Sequence, residues 1–290
     1  MTRQLFLSVF LLFTASWVSA EAQEKTVAVR PNEEASRFLN LGVDYAEKKD
    51  WDRAIEYLDK ALALDPQNSA ACIDLSLAYT EKKDFEHAVS FARKAVDLAA
   101  NKSGAYHTLG LAYEGAGNTD KAVAAYKQGI AADPKNSDLY LTLGNLYGKE
   151  KNLDEAVKAY GQAIEANPRN VFAYSNIAYV YQEKKETQKA IEYLTKAAGA
   201  DPKDPIVWFD LGAAYDKEGS LPKPVDYYEK SFSLNEKFYK TVLSLAMVYE
   251  KEGQLEKSAL FYTKALSLTD DVRLKEAILK KITQTSEKKI

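Results

Sequence analysis

The sequence predicts an all-α solenoid, built from seven helix–turn–helix units of 34 residues that follow a short apolar leader. Three observations carry that expectation. The chain aligns with itself at an offset of 34 from Ala35 to Val272 without an insertion or deletion. Within each unit, large apolar residues recur three and four apart, the spacing of one helical face. Composition also favours helix, with 46% hydrophobic and 28% charged residues, 19 Tyr, and only 8 Pro and 13 Gly.

Residues 1–20 differ from all that follows. Arg3 is the only charge, Leu5 to Val18 is an apolar run of 14 residues, and Val18-Ser19-Ala20 brings small residues just before Glu21. A positive start, an apolar middle and a small-residue end are the order of a secretory signal. The reading is therefore an exported protein, periplasmic or secreted, cleaved before Glu21. An uncleaved membrane anchor is the alternative, although 14 residues are few for the roughly 20 that a spanning helix needs. Residues 21–34 show no apolar periodicity and are expected to be a disordered leader, with Asn32 capping the first repeat helix.

The units run 35–68, 69–102, 103–136, 137–170, 171–204, 205–238 and 239–272. Leu41-Gly42 with Tyr45 recurs as Leu109-Gly110 with Tyr113, Leu143-Gly144 with Tyr147, and Leu211-Gly212 with Tyr215. Small residues follow at fixed offsets, as at Ala54 and Ala61 in the first unit, and they let two helices approach closely. Asp50, Asp84, Asn118, Asn152 and Ser220 are placed to cap the second helix of their units. Pro66, Pro134, Pro168 and Pro202 stand where a helix must stop. Pro224 replaces the usual alanine of the sixth unit and is expected about four residues into its helix. Residues 273–290 predict a capping helix, with Val272, Leu274, Ala277, Ile278 and Ile282 on its apolar side and a frayed tail from Gln284.

Carried by these residues, the chain resembles the tetratricopeptide repeat family over residues 35–272. The resemblance implies a right-handed superhelical solenoid with first helices lining a concave groove. It also implies a non-catalytic scaffold that binds other proteins or peptides there. By the same resemblance, Leu77, Leu111, Leu141, Asn145, Phe172, Asn176, Tyr179, Phe209 and Asp210 face that groove. Phe172, Tyr179 and Phe209 are expected to converge as aromatic anchors, with Asn176 and Asp210 in a polar row beside them. Groove positions carry no Lys, Arg and Asn cluster of the kind that clamps acidic C-terminal tails.

Catalytic chemistry is not expected. A single cysteine, Cys72, excludes an internal disulfide framework and a cysteine-based zinc site, and it sits at a core position. His87 is expected at the surface, and His107 faces the groove without a carboxylate at helical spacing. Gly115-Ala116-Gly117 follows no strand and reads as a turn rather than a phosphate loop. A net charge of −3 gives no basic field for nucleic acid. No cofactor or metal is expected, and membrane contact is expected only through the leader.

Overall fold

A computed structural model describes residues 31–219 and 223–287. Pro31–Glu47 (α1) and Trp51–Leu64 (α2) form the first hairpin. Ser69–Glu81 (α3) pairs with Phe85–Leu98 (α4), and Lys102–Gly115 (α5) pairs with Thr119–Ala132 (α6). Ser137–Lys149 (α7) pairs with Leu153–Ala166 (α8), and Val171–Glu183 (α9) with Thr187–Ala200 (α10). Pro205–Glu218 (α11) pairs with Lys223–Leu234 (α12), and Tyr239–Lys251 (α13) with Leu255–Ser267 (α14). Val272–Glu287 (α15) packs on α14. No strand occurs among the described residues. The expected all-helical solenoid is therefore the observed architecture.

Each hairpin turns on one backbone device. Seven residues spaced by 34 take a positive φ: Lys49, Lys83, Lys151 and Lys185 near 60°, and Gly117, Gly219 and Gly253 at 74–82°. One left-handed residue ends a helix and redirects the chain, which glycine does without a steric penalty and lysine does not. Asp50 and Asp84 then cap α2 and α4 by accepting the backbone N–H of Arg53 and His87. Asn118 and Asn152 occupy the corresponding position but make no side-chain cap bond. Ser220 lies outside the described residues.

The small positions fulfil their expected role. Ala54, Ala88, Ala122, Ala156 and Ala190 are fully buried between paired helices. Ser76 and Ser258 are also fully buried, and each donates across its hairpin, to the carbonyls of Ala88 and Ala246. Cys72 is a buried free thiol in the core. Close packing between alternate helices is made by first helices, α1 with α3, α3 with α5 and α7 with α9. The first helices therefore form the inside of the curve.

Three expectations are corrected at the flanks. α1 begins at Pro31, so residues 31–34 are helical and Asn32 lies within the first turn, not ahead of it. Pro224 lies in the first described turn of α12, and residues 220–222 ahead of it are outside the described residues. The tail stays helical to Glu287, with Thr285 buried. Of the five residues expected on the apolar side of α15, Ile278 is buried and Ile282 partly so, while Val272, Leu274 and Ala277 are exposed. The leader, including residues 1–20, lies outside the described residues.

Candidate functional site

Large apolar side chains exposed on first helices stand at only two places in the repeat. Phe172 and Ile206, 34 residues apart, are 70% and 54% exposed near the starts of α9 and α11. Seven residues further along, Leu77, Tyr179 and Met247 are 37%, 62% and 47% exposed on α3, α9 and α13. Seven residues of helix rise about 10.5 Å, so the two rows run parallel on the inner face. Except for Leu77, these side chains belong to α9, α11 and α13.

The three rings of the expected aromatic trio differ in exposure. Phe172 and Tyr179 are free, but Phe209 is half-buried. Its ring packs edge-on against Phe238 at 5.4 Å and tilted against Tyr228 at 5.7 Å, so it forms the groove floor. Phe238 occupies the cap position ahead of α13, where other units place a small polar residue, and supplies this extra contact. Leu111 and Leu141 are likewise half-buried and packed against core clusters. They too are floor rather than free anchors.

The polar residues of the groove are held from below by tyrosines of the second helices. Tyr160 of α8 donates to Asn145 Oδ1 at 2.9 Å, and the same oxygen accepts from Asn176 Nδ2 at 2.9 Å. Tyr126 and Tyr262 reach Glu114 and Glu250 in the same manner, at 3.2 and 2.8 Å. Burial pushes the Tyr160 and Tyr228 phenols up to about 12, so they remain donors. The Asn145 amino group and the Asn176 carbonyl are left to a cleft of about 320 Å³ that they line with Tyr179. Sequence reasoning missed these tyrosines. A readable signal exists, since Gly110, Gly144 and Gly212 each precede by 16 the tyrosine that lies across them.

Two carboxylates sit in the polar row against burial. Desolvation raises Asp74 and Asp210 from 3.8 to about 6. At Asp210, the Asp204 charge adds to the rise and Lys240 of α13 opposes it. Along the other margin of the groove, charges are paired between hairpins: Lys149 with Glu114 at 3.1 Å, Lys151 with Glu183 at 3.0 Å and Lys251 with Asp216 at 2.6 Å.

The histidines are accounted for. His87 is exposed, bonded to Asp84 at 2.8 Å and stacked on Tyr79. His107 is half-buried, 3.2 Å from Thr142 Oγ1, whose hydroxyl donates to the Asp138 carbonyl. Burial lowers its pKa and the Asp138 charge opposes that, a carboxylate influence across hairpins that helical spacing did not reveal. Among the described residues, no group of three His, Cys, Asp or Glu is placed to hold a metal ion.

Family models described as tetratricopeptide repeat match residues 45–110 and 114–178, 173–204, and 241–276. With the stacked hairpins, these matches make the chain a member of the tetratricopeptide repeat family. The hairpin α11–α12 lies outside every matched span, which is where Pro224 departs from the pattern.

Solved structures agree on the fold. Yeast Tom70 shares 17% identity at a TM-score of 0.64, over 89% of this chain and 55% of that one. A tetratricopeptide repeat protein from Parabacteroides merdae shares 19% at 0.55, over 86% and 98%. MamA shares 26% at 0.50, over 55% of this chain and 94% of its own. A search of curated proteins finds no significant match.

Proposed function

We propose that the chain is a non-catalytic protein-interaction scaffold of the cell envelope or secreted space. All seven hairpins, α11–α12 included, act as repeats of one array that holds a partner segment on α9, α11 and α13. The observation that carries this reading is the pair of exposed rows, Phe172 with Ile206 and Tyr179 with Met247. Large apolar side chains left in water at matching places on neighbouring helices mark interaction surfaces.

Localisation rests on the order of residues 1–20, which reads as a secretory signal. No described helix is long and apolar enough to cross a membrane. Intact mass of the protein recovered from its native cell tests export. A chain starting at Glu21 supports it, and full-length chain in the membrane pellet replaces it with the anchored reading.

The groove is tested by Phe172→Ala with Tyr179→Ala. Aromatic anchors often contribute roughly 2 kcal/mol or more, so partner affinity should fall at least about tenfold. Melting should change little because both rings are mostly exposed. Tyr126→Ala, at a fully buried ring, is the contrast and should destabilise by about 3–5 kcal/mol. If the groove pair melts the fold and leaves binding intact, the binding surface lies elsewhere.

A further inference from the structure

The turns that lead into four consecutive first helices carry a basic row. Lys135, Arg169, Lys203 and Lys237 are spaced by 34 and are all exposed. Their backbone N–H groups are tied down, each donating to the side chain two residues earlier: Asp133, Asn167, Asp201 and Asn235. Among the described residues, none of the four side chains forms an ion pair. Three residues beyond Arg169 and Lys203 come Phe172 and Ile206, and three beyond Lys237 comes Lys240. The basic row therefore borders the outer of the two apolar rows.

The neighbouring acids cancel only part of it, since Asp201 and Asp204 keep their charge while accepting backbone N–H groups. Glu236 is engaged by Lys264 at 3.1 Å, Asp204 accepts the Ile206 N–H at 2.8 Å as a helix cap, and Asp201 holds its own turn. The opposite margin differs, because its lysines at 149, 151 and 251 are paired between hairpins. Around α9, α11 and α13, Arg169, Lys203, Lys237 and Lys240 outnumber Asp201 and Asp204, whereas the lysines at 149, 151 and 251 on the opposite margin are paired.

Geometry selects the form of the occupant. The two apolar rows are about 10.5 Å apart, and a helix is about 10 Å across. A single helix fills that width and touches both rows, with Phe209 beneath it. An extended strand would cover one row and leave the other in water.

Resting on the groove reading above, we infer that the partner is an amphipathic α-helix with an acidic flank. Its apolar face seats between the Phe172–Ile206 and Tyr179–Met247 rows. Carboxylates along one flank of that helix meet Arg169, Lys203 and Lys237.

The test uses the full chain and two synthetic 21-residue helical peptides with the same leucine face, one flanked by glutamate and one by lysine. Fluorescence anisotropy reads affinity, and circular dichroism checks each protein variant. The chain's net charge of −3 favours the lysine peptide at long range, so a glutamate preference reports the local row. The glutamate peptide should bind at least about tenfold more tightly. The R169E/K203E/K237E variant should abolish or reverse that preference, and Phe172→Ala with Tyr179→Ala should weaken both peptides. Equal binding of the two peptides, still sensitive to the aromatic pair, overturns the acidic flank and leaves the groove reading standing. Failure of both peptides to bind, or binding indifferent to the aromatic pair, removes the inference together with that reading. If phosphatidylserine vesicles bind through the row while the glutamate peptide does not, the surface faces a membrane and the inference fails.

Discussion

The ring of Tyr160 lies across Gly144, so that a Cβ built on the glycine would stand 2.5 Å from Tyr160 Cε1. This contact lets a second-helix phenol pass its neighbour and reach Asn145 on the groove side. A methyl group there must push the ring out of line. Gly144→Ala should therefore destabilise by about 1–3 kcal/mol, the usual cost of overpacking. Gly148 is the comparison, since its nearest neighbour would be Tyr160 Oη at an ordinary 3.6 Å. Gly148→Ala should be neutral or stabilising, and thermal melting of the two variants distinguishes them.

Lysines at positive φ predict an easy gain. Lys83 adopts φ 62° where the third hairpin uses Gly117. It is exposed and forms no ion pair among the described residues. Lys83→Gly relieves the crowding of Cβ in the left-handed region and should stabilise by about 0.5–1 kcal/mol. The reverse change, Gly117→Lys, should lower the melting temperature.

Asp210 makes stability depend on pH with a defined sign. Its folded value of about 6 lies above the ordinary 3.8, so the protonated form favours the fold. That contribution is full below about 4 and is lost as pH rises through about 6. Asp210→Asn should therefore stabilise by about 1–3 kcal/mol at pH 7.5, allowing for partial solvation. The gain should vanish as pH falls through 6 towards 4. Melting curves of both proteins at the two extremes give the answer.

The solenoid was legible because the 34-residue period repeats one hairpin whose apolar faces need neighbours. The exposed rows were legible for the same reason: a repeat position fixes a direction, and Phe172 and Tyr179 follow it. Phe209 follows it too, yet Phe238 enters from a turn that departs from the repeat and converts it to floor. The support of Asn145 by Tyr160 was not read because it crosses between the two helices of a hairpin, where helical spacing along one helix is silent. The amino-terminal flank was misjudged because residues 31–34 lack apolar periodicity and yet are helical in α1.

Site-specific photo-crosslinking in the native cell tests the central claim most directly. A benzophenone side chain would be placed in turn at Tyr179, Ile206 and Met247 in the groove, and at Gln128 and Glu192, exposed on second helices. The groove account predicts one partner adduct shared by the three groove positions and absent from the two outer ones. An adduct formed from the outer positions with none from the groove would contradict it.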